Sequence, residues 1–312
     1  MSTQNLAAFA EAGAEDFDIY RQVMAFSTAD SWGNVPHVSY IYEPDITDFM
    51  SFYDASLRSS PEHPQRITLN TVFLKIIADA ITCSPRLNSF FSYSSFSCKG
   101  RLEPQPHVNI TLPTLLDSGK VVSLVVHGVE ARSIAALQED INGLKERAGR
   151  SDIVEVLSRT AKRDTIEKLK HGESTGFKRL LALVLGVNRL VLLKGRRRRD
   201  YYAIAEAERL TERDIREGTV VVSNIGSIGA GLPGQFTLLD VIEPQVFAIG
   251  IGAVSERPAV YARPDGEKAI GIRKVLPFCF CFDHRAFEFS TLLPFLRRLE
   301  ELFAHPELVA EL

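Results

Sequence analysis

Cysteine is scarce in this chain of 312 residues: only Cys83, Cys98, Cys279 and Cys281. So few thiols, so unevenly spread, do not make a disulfide framework, and no apolar signal-peptide core follows Met1-Ser2-Thr3-Gln4. A reducing, cytoplasmic location is therefore the expectation. Long apolar runs are missing as well. The longest, Leu180 to Leu193, has 14 residues and is interrupted by Asn188 and Arg189, whereas a bilayer-spanning helix needs about 20. Neither sign of charge dominates: 36 Lys+Arg stand against 39 Asp+Glu, a formal charge of −3. That balance gives no general push toward nucleic acid. No internal repeat of about 20 to 50 residues is visible, which excludes a solenoid or propeller.

What remains is ordinary globular composition, 45% hydrophobic and 24% charged, with length enough for an ample core. Residues 14 to 32 read as a helix, and Val35-Pro36-His37 opens an alternating strand, Val38-Ser39-Tyr40-Ile41-Tyr42. Asp45 to Ser59 resumes a helical pattern. From Thr68, the positions Leu69, Val72, Phe73, Ile76, Ile77, Ala80 and Ile81 follow the spacing of an amphipathic helix that stops near Pro85. Strand-like Phe90 to Lys99 follows. Val108 to Leu112 and Val121 to Val126 form a hairpin around Asp117-Ser118-Gly119-Lys120, and Ser133 to Glu146 is a helix. Between 147 and 208 no strand pattern appears. Strands resume at Thr219 to Ser223, Val246 to Ile251 and Lys274 to Phe282, and a helix runs from about Ser290 to Ala304. Without a strict strand-helix-strand rhythm, a mixed α/β sandwich is expected rather than a doubly wound parallel sheet. The expected organisation is a helical segment over 1–34 and a main domain over 35–312, interrupted by an insertion at about 147–208.

Two segments carry candidate chemistry. Phe278-Cys279-Phe280-Cys281-Phe282-Asp283-His284-Arg285 is an alternating strand that ends in Asp-His-Arg before a turn and a helix. A histidine at a strand end either takes a proton from a thiol or hydroxyl as a general base, or is a hydrogen-bonded structural residue. Ser223-Asn224-Ile225-Gly226-Ser227-Ile228-Gly229-Ala230-Gly231 runs from a strand into closely spaced glycines whose spacing is neither the dinucleotide nor the P-loop pattern. Its serine either donates to an oxyanion on an acyl carbonyl or caps a turn together with Asn224. Cys279-x-Cys281-x-x-His284 suggests a metal site only superficially: alternation puts the two thiols on one face and, unless the strand has ended, the histidine on the other, and no fourth ligand cluster is visible. No metal is expected. His37, His107 and His127 read as strand or loop residues, and Trp32 as core or interface.

These segments, in this order and about 60 residues apart, resemble the catalytic domain of dihydrolipoyl acyltransferases, the core components of 2-oxoacid dehydrogenase complexes. Val35-Pro36-His37, the helix Leu69 to Ile81, the stretch His107 to Leu144, and Thr219 to Gly252 with Ile242-Glu243-Pro244-Gln245 extend the likeness. The resemblance implies a chloramphenicol-acetyltransferase-like two-layer sandwich with a mixed sheet. It also implies a homotrimer with active sites between subunits, and coenzyme A or acyl-CoA as substrate. His284 matches the general base and Ser223 the oxyanion donor. Asp283 and Arg285 match positions that fix the turn, while Asn224 and Glu288 are supporting positions. Where the family continues Asp-His-Arg-x-x-Asp-Gly, this chain has Glu288 and Phe289. A phenylalanine replacing a positive-φ glycine carries a steric cost. The His-His-x-x-x-Asp-Gly signature of condensation-type enzymes is absent.

No lipoyl-lysine hairpin precedes residue 35, so no covalent lipoyl group is expected. The donor is then acyl-CoA or an acyl-carrier protein, and the acceptor a small thiol, hydroxyl or amine. The alternative is a non-catalytic trimeric scaffold or partner subunit with the same fold. Residues Gly176 to Asp200 hold eight basic residues against one acid. One reading is an interfacial helix on an anionic membrane; the other is a helix packed on a neighbouring subunit, its arginines solvated or holding a phosphate of coenzyme A or a carrier protein.

Overall fold

The computed structural model describes residues 14, 17, 19–58, 66–116, 119, 121–170, 192–227, 232–263 and 265–312. Most of the expected hairpin turn at Asp117 to Lys120, the glycines after Ser227, and the basic stretch before Leu192 lie outside these residues. Compactness divides the chain into two units. One gathers Ser31–Ser151 with Ile204–Leu312, and the other the described residues up to Asp30 with those of Asp152–Ala203.

The larger unit is built on a six-stranded sheet. Its strands, in chain order, are β1 (His37–Tyr42), β4 (Ile110–Leu115), β5 (Val121–Val126), β6 (Val220–Asn224), β7 (Phe247–Ile251) and β10 (Phe278–Asp283). They lie side by side as β1-β10-β7-β6-β4-β5. The β6 strand runs parallel to both β7 and β4, while the other pairs are antiparallel. This is the mixed sheet that the sequence pattern favours. Two hairpins stand apart from it: β2 (Ser89–Ser94) with β3 (Lys99–Pro104), and β8 (Ser255–Ala262) with β9 (Lys268–Val275).

Alternation along β10 sorts its side chains between two cores. Phe278, Phe280 and Phe282 face the helical layer, where α3 (Leu69–Thr82) and α7 (Leu293–Ala304) supply Phe73, Phe295 and Phe303. Phe280 meets Phe295 edge-on at 5.1 Å, and Phe73 meets Phe278 edge-on at 6.2 Å. On the opposite face Cys279 and Cys281 pack with Val35, Val241 and Ala248. The α3 helix begins where Thr68 leaves the helical region and its hydroxyl accepts the Thr71 backbone N–H. The α4 helix (Ile134–Gly149) starts in the same way on Ser133. The short α2 (Thr47–Phe52) precedes α3, and α1 (Ile19–Asn34) precedes β1.

The expected strand Lys274 to Phe282 is two strands in different sheets. At Leu276-Pro277 the chain leaves the β9 ladder: the Leu276 N–H donates to Pro44 O at 3.2 Å, and Pro277 O accepts from Gly252 N at 2.8 Å. Proline cannot donate to a ladder, so the apolar run is continuous in sequence but broken in structure. The smaller unit contains α5 (Ile153–Lys170) and α6 (Gly195–Ala203).

Candidate functional site

His284 follows β10 directly, at a turn built by its neighbours. The Asp283 carboxylate accepts the Arg285 backbone N–H at 2.9 Å, then the Arg285 side chain from Nε to Oδ1 at 3.0 Å and from Nη2 to Oδ2 at 2.7 Å. The same Nη2 reaches Glu243 Oε1 at 2.6 Å. Asp283 is only 1% exposed, so its charge depends on that fork. Burial pulls the Arg285 guanidinium downward, but hydrogen bonds to Asp283 and Glu243 outweigh it and hold the group above its ordinary value. The rings of Phe91 and Tyr93 on β2 lie 5.6 and 5.5 Å from the guanidinium carbon, within cation–π range. The His284 backbone N–H donates to Pro36 O at 3.1 Å. Its imidazole is exposed, has Phe282 edge-on at 5.9 Å, and makes no side-chain hydrogen bond among the described residues.

The turn after His284 accommodates its unusual residues. Glu288 is exposed and its carbonyl accepts the Thr291 N–H at 3.0 Å. Phe289 opens a 3-10 turn over Phe289–Leu292 and lies 5.0 Å from the Tyr40 ring. Among the described residues, the non-glycine residues with positive φ are Cys98 and Glu217. Phe289 therefore carries no positive-φ strain, and the steric cost anticipated for it does not arise.

Ser223 sits on β6 directly opposite Gly250 of β7. It is half-buried, and its hydroxyl makes no hydrogen bond among the described residues. Its neighbour Asn224 is fully engaged: Nδ2 donates to Asn70 Oδ1 at 2.8 Å, and Oδ1 accepts the Ser227 N–H at 3.1 Å. Asn224 thus caps the turn while Ser223 stays available. The turn needs glycine at position 226, because a Cβ on Gly226 would lie 2.5 Å from Gly252 O.

Register fixes the distance between the two candidates. Asp283 N–H bonds Val246 O, just before β7, whereas Ser223 pairs with Gly250 near the end of β7. At about 3.3 Å per residue the two levels differ by roughly 15 Å along the strands, and β10 and β6 are separated by two strand spacings, about 10 Å more in the perpendicular direction. His284 and Ser223 therefore stand at opposite ends of one sheet. A single chain does not bring them together.

The other histidines singled out in the sequence, His37, His107 and His127, have structural partners. His37 Nε2 accepts the Val241 N–H at 3.0 Å while its ring stacks on Trp32. His107 meets Glu130 at 2.9 Å, and His127 meets Arg213 O at 3.0 Å. Cys279 and Cys281 are buried with sulfurs 3.6 Å apart. A hydrogen bond from the Cys279 thiol, helped by the Leu239 N–H, pulls the Cys281 thiol down despite its burial. Their face of β10 is the one opposite His284. Among the described residues no group of three or more His, Cys, Asp or Glu is placed to hold a metal ion.

The family model for the 2-oxoacid dehydrogenases acyltransferase catalytic domain matches residues 11–155 and 192–311. The chain belongs to this family. Among curated relatives, the dihydrolipoyllysine-residue acetyltransferase component of the pyruvate dehydrogenase complex from Staphylococcus epidermidis is 22% identical over 295 residues, 95% of this chain and 52% of that protein. The chain thus spans about half the length of the curated relatives it matches. Two solved structures share the fold: Azotobacter vinelandii dihydrolipoamide acetyltransferase (TM-score 0.63, 20% identity, 96% of each chain) and the cubic core of a pyruvate dehydrogenase multienzyme complex (TM-score 0.62, 21% identity, 96% of each chain). The Azotobacter enzyme was investigated for the role of a serine, a histidine and an asparagine in its catalytic mechanism.

For this acyltransferase-family chain, sequence reasoning singled out Asp-His-Arg and Ser-Asn-x-Gly but missed what braces them. Glu243, Phe91, Tyr93 and Asn70 lie far from those motifs in sequence. The one available signal was Glu243 itself, a carboxylate directly before a proline.

Proposed function

We propose that this chain is an acyltransferase whose active site is completed by two copies, with His284 from one and Ser223 from the other. The observation that carries the reading is the pairing of two chemically available groups, an exposed imidazole and an unengaged hydroxyl, that one chain holds too far apart to cooperate. The donor is an acyl thioester of coenzyme A or of a carrier protein, and the acceptor a small thiol, hydroxyl or amine. His284 takes the proton of the acceptor as that atom attacks the thioester carbonyl. The Ser223 hydroxyl donates to the oxyanion of the tetrahedral intermediate. As the intermediate collapses, the carbon–sulfur bond breaks, and the departing thiolate takes the proton from His284. The arrangement fits a homotrimer, in which each chain offers one end of its sheet to each neighbour.

Glu288 occupies the position where the family has Asp or Asn after the histidine. An ionised carboxylate accepts hydrogen bonds but donates none. Oxyanion stabilisation therefore falls to Ser223. An exposed apolar strip on β8 and β9 supports association of copies. Val260 faces Ile270 across the hairpin, Ile272 faces Pro258, and Val260, Ile270 and Ile272 are 63%, 79% and 75% exposed, a patch unusual for a monomer.

The test is free-thiol release from acyl-CoA donors of graded chain length, with a mixed acceptor panel, on the wild type, His284→Ala, Ser223→Ala, and the two variants assembled together. Each single variant should lose about two to four orders of magnitude in rate. Random co-assembly should restore about a quarter of the sites, since each site draws its two residues from different chains. A mixture that assembles yet stays inactive would place the chemistry within one chain. Wild type that assembles and turns over no CoA-bound or carrier-bound donor would favour the scaffold reading, which the changes at Glu288 and Phe289 motivate.

A further inference from the structure

The steps proposed above do not use the most concentrated charge in the chain. Lys194, Arg196, Arg197, Arg198 and Arg199 are all exposed, on or directly before α6. The acid within that helix is Asp200, whose contact with Arg196 is 3.7 Å between side chains 92% and 67% exposed, too solvated to cancel the cluster. Four arginines in succession on a helix stand within about 6 Å along its axis and repel one another. Something must hold them there.

That anchor is Glu155 on α5, 1% exposed. Its carboxylate accepts the Leu193 N–H at 2.7 Å just before α6, the Tyr202 hydroxyl at 2.8 Å near the end of α6, and Arg159 Nε at 3.0 Å. Arg159 also lies 4.7 Å from the centre of the Tyr202 ring, and Tyr201 is buried. One buried carboxylate therefore pins both ends of the arginine segment. The tyrosines are committed inward, Arg198 lies 5.8 Å from the centre of the Tyr202 ring, and Arg196, Arg197 and Arg199 are left to solvent.

We propose that α6 is a docking surface for an anionic lipid bilayer. At about 100° per residue, Arg199, Arg196 and Arg197 spread over the half of α6 opposite Tyr201 and Tyr202, while Arg198 shares the Tyr202 side, and three guanidinium groups spread over half a helix suit a diffuse anionic plane better than a single phosphate. A surface for single-stranded nucleic acid combines basic groups with free aromatic platforms for the bases, and here Tyr201 and Tyr202 are turned into the protein. Phe17 and Ile166, in the same compact unit, are exposed apolar side chains. In sequence, the cluster is preceded by Phe177 to Leu193, in which 12 of 17 residues are apolar and three are basic. Apolar bulk joined to clustered positive charge is the composition of segments that lie in the bilayer interface.

The experiment is co-sedimentation of the full chain with vesicles of phosphatidylcholine alone or mixed with phosphatidylserine, at low and high salt. Comparison variants are Arg196→Gln/Arg197→Gln/Arg199→Gln and the charge-keeping R196K/R197K/R199K, both checked for native circular dichroism and melting. Binding should require phosphatidylserine, vanish at high salt, weaken roughly a hundredfold in the glutamine variant and persist in the lysine variant. The proposal is overturned by absence of binding to the mixed vesicles, or by binding that the glutamine substitutions leave unchanged. It is also overturned if RNA, an acidic carrier protein or coenzyme A binds in an arginine-dependent way while vesicles do not. Acyl transfer is read separately, so failure here leaves the two-copy site untouched.

Discussion

The Asp283–Arg285 pair shows how one buried charge governs the presentation of its neighbour. Asp283 is 1% exposed and its oxygens are matched by a planar fork. Lysine is a point charge and cannot reproduce that fork or the stacking on Phe91 and Tyr93. Arg285→Lys should therefore cost about 2 to 4 kcal/mol of stability, because Asp283 keeps its burial but loses most of its hydrogen bonds. Urea unfolding of the two proteins reads this directly, and an unchanged midpoint at equal slope would show that the pair is dispensable. Residues with a local signature were legible in sequence. His284 ends an alternating strand, and Asn224 and Ser227 sit in a glycine-rich turn whose side chains bond within three residues. Glu243 was not legible as a partner of Arg285, since an ion pair spanning 42 residues leaves no trace in periodicity.

Elements were legible where one periodicity prevailed from end to end. The α3 and α4 helices begin at Thr68 and Ser133, the residues at which the sequence pattern places their starts. The β8–β9 hairpin was not anticipated: Val260, Ile270 and Ile272 point to solvent, while Ser255, Arg257, Gly271 and Arg273 share the inward side with Ala259, Tyr261, Ala269 and Val275, so neither face reads as a clean apolar stripe. Connections between elements rest on polar pins that pattern analysis does not reach. Asp214, in the turn before β6, accepts the Thr211 N–H and hydroxyl at 2.7 Å each and Arg147 of α4 at 2.8 Å. Burial pushes its carboxyl upward, but these donors outweigh it and hold it below the ordinary carboxylate range. A folded-state value below the unfolded one contributes stability above the unfolded pKa, near 4, and loses it as pH falls through the folded value. Asp214→Asn should thus be less stable by about 1 to 3 kcal/mol at pH 7. The gap between the two melting curves should close in acid, and a gap independent of pH would mean that the charge is irrelevant.

Across the whole molecule, strand order sets His284 and Ser223, the two groups of the proposed site, at opposite ends of one sheet. The family fold was legible because the motifs keep their order along the chain. The separation of His284 from Ser223 was implied only through the resemblance, with its active sites between subunits, since it depends on β7 pairing in parallel with β6 and antiparallel with β10, which composition and spacing do not determine. If each site draws on two chains, activity follows assembly by mass action. Specific activity should fall on dilution in step with the loss of the oligomer, while circular dichroism of the separated chains stays native. Ile270→Glu, which puts a charge into the exposed β8–β9 strip, should move both transitions together to higher protein concentration. The two must shift in parallel: a protein that remains fully active per chain after dissociating, as measured by light scattering on the assay samples, would mean that one copy suffices. Separate transitions for activity and assembly would mean that the copies associate through a surface unconnected with the site.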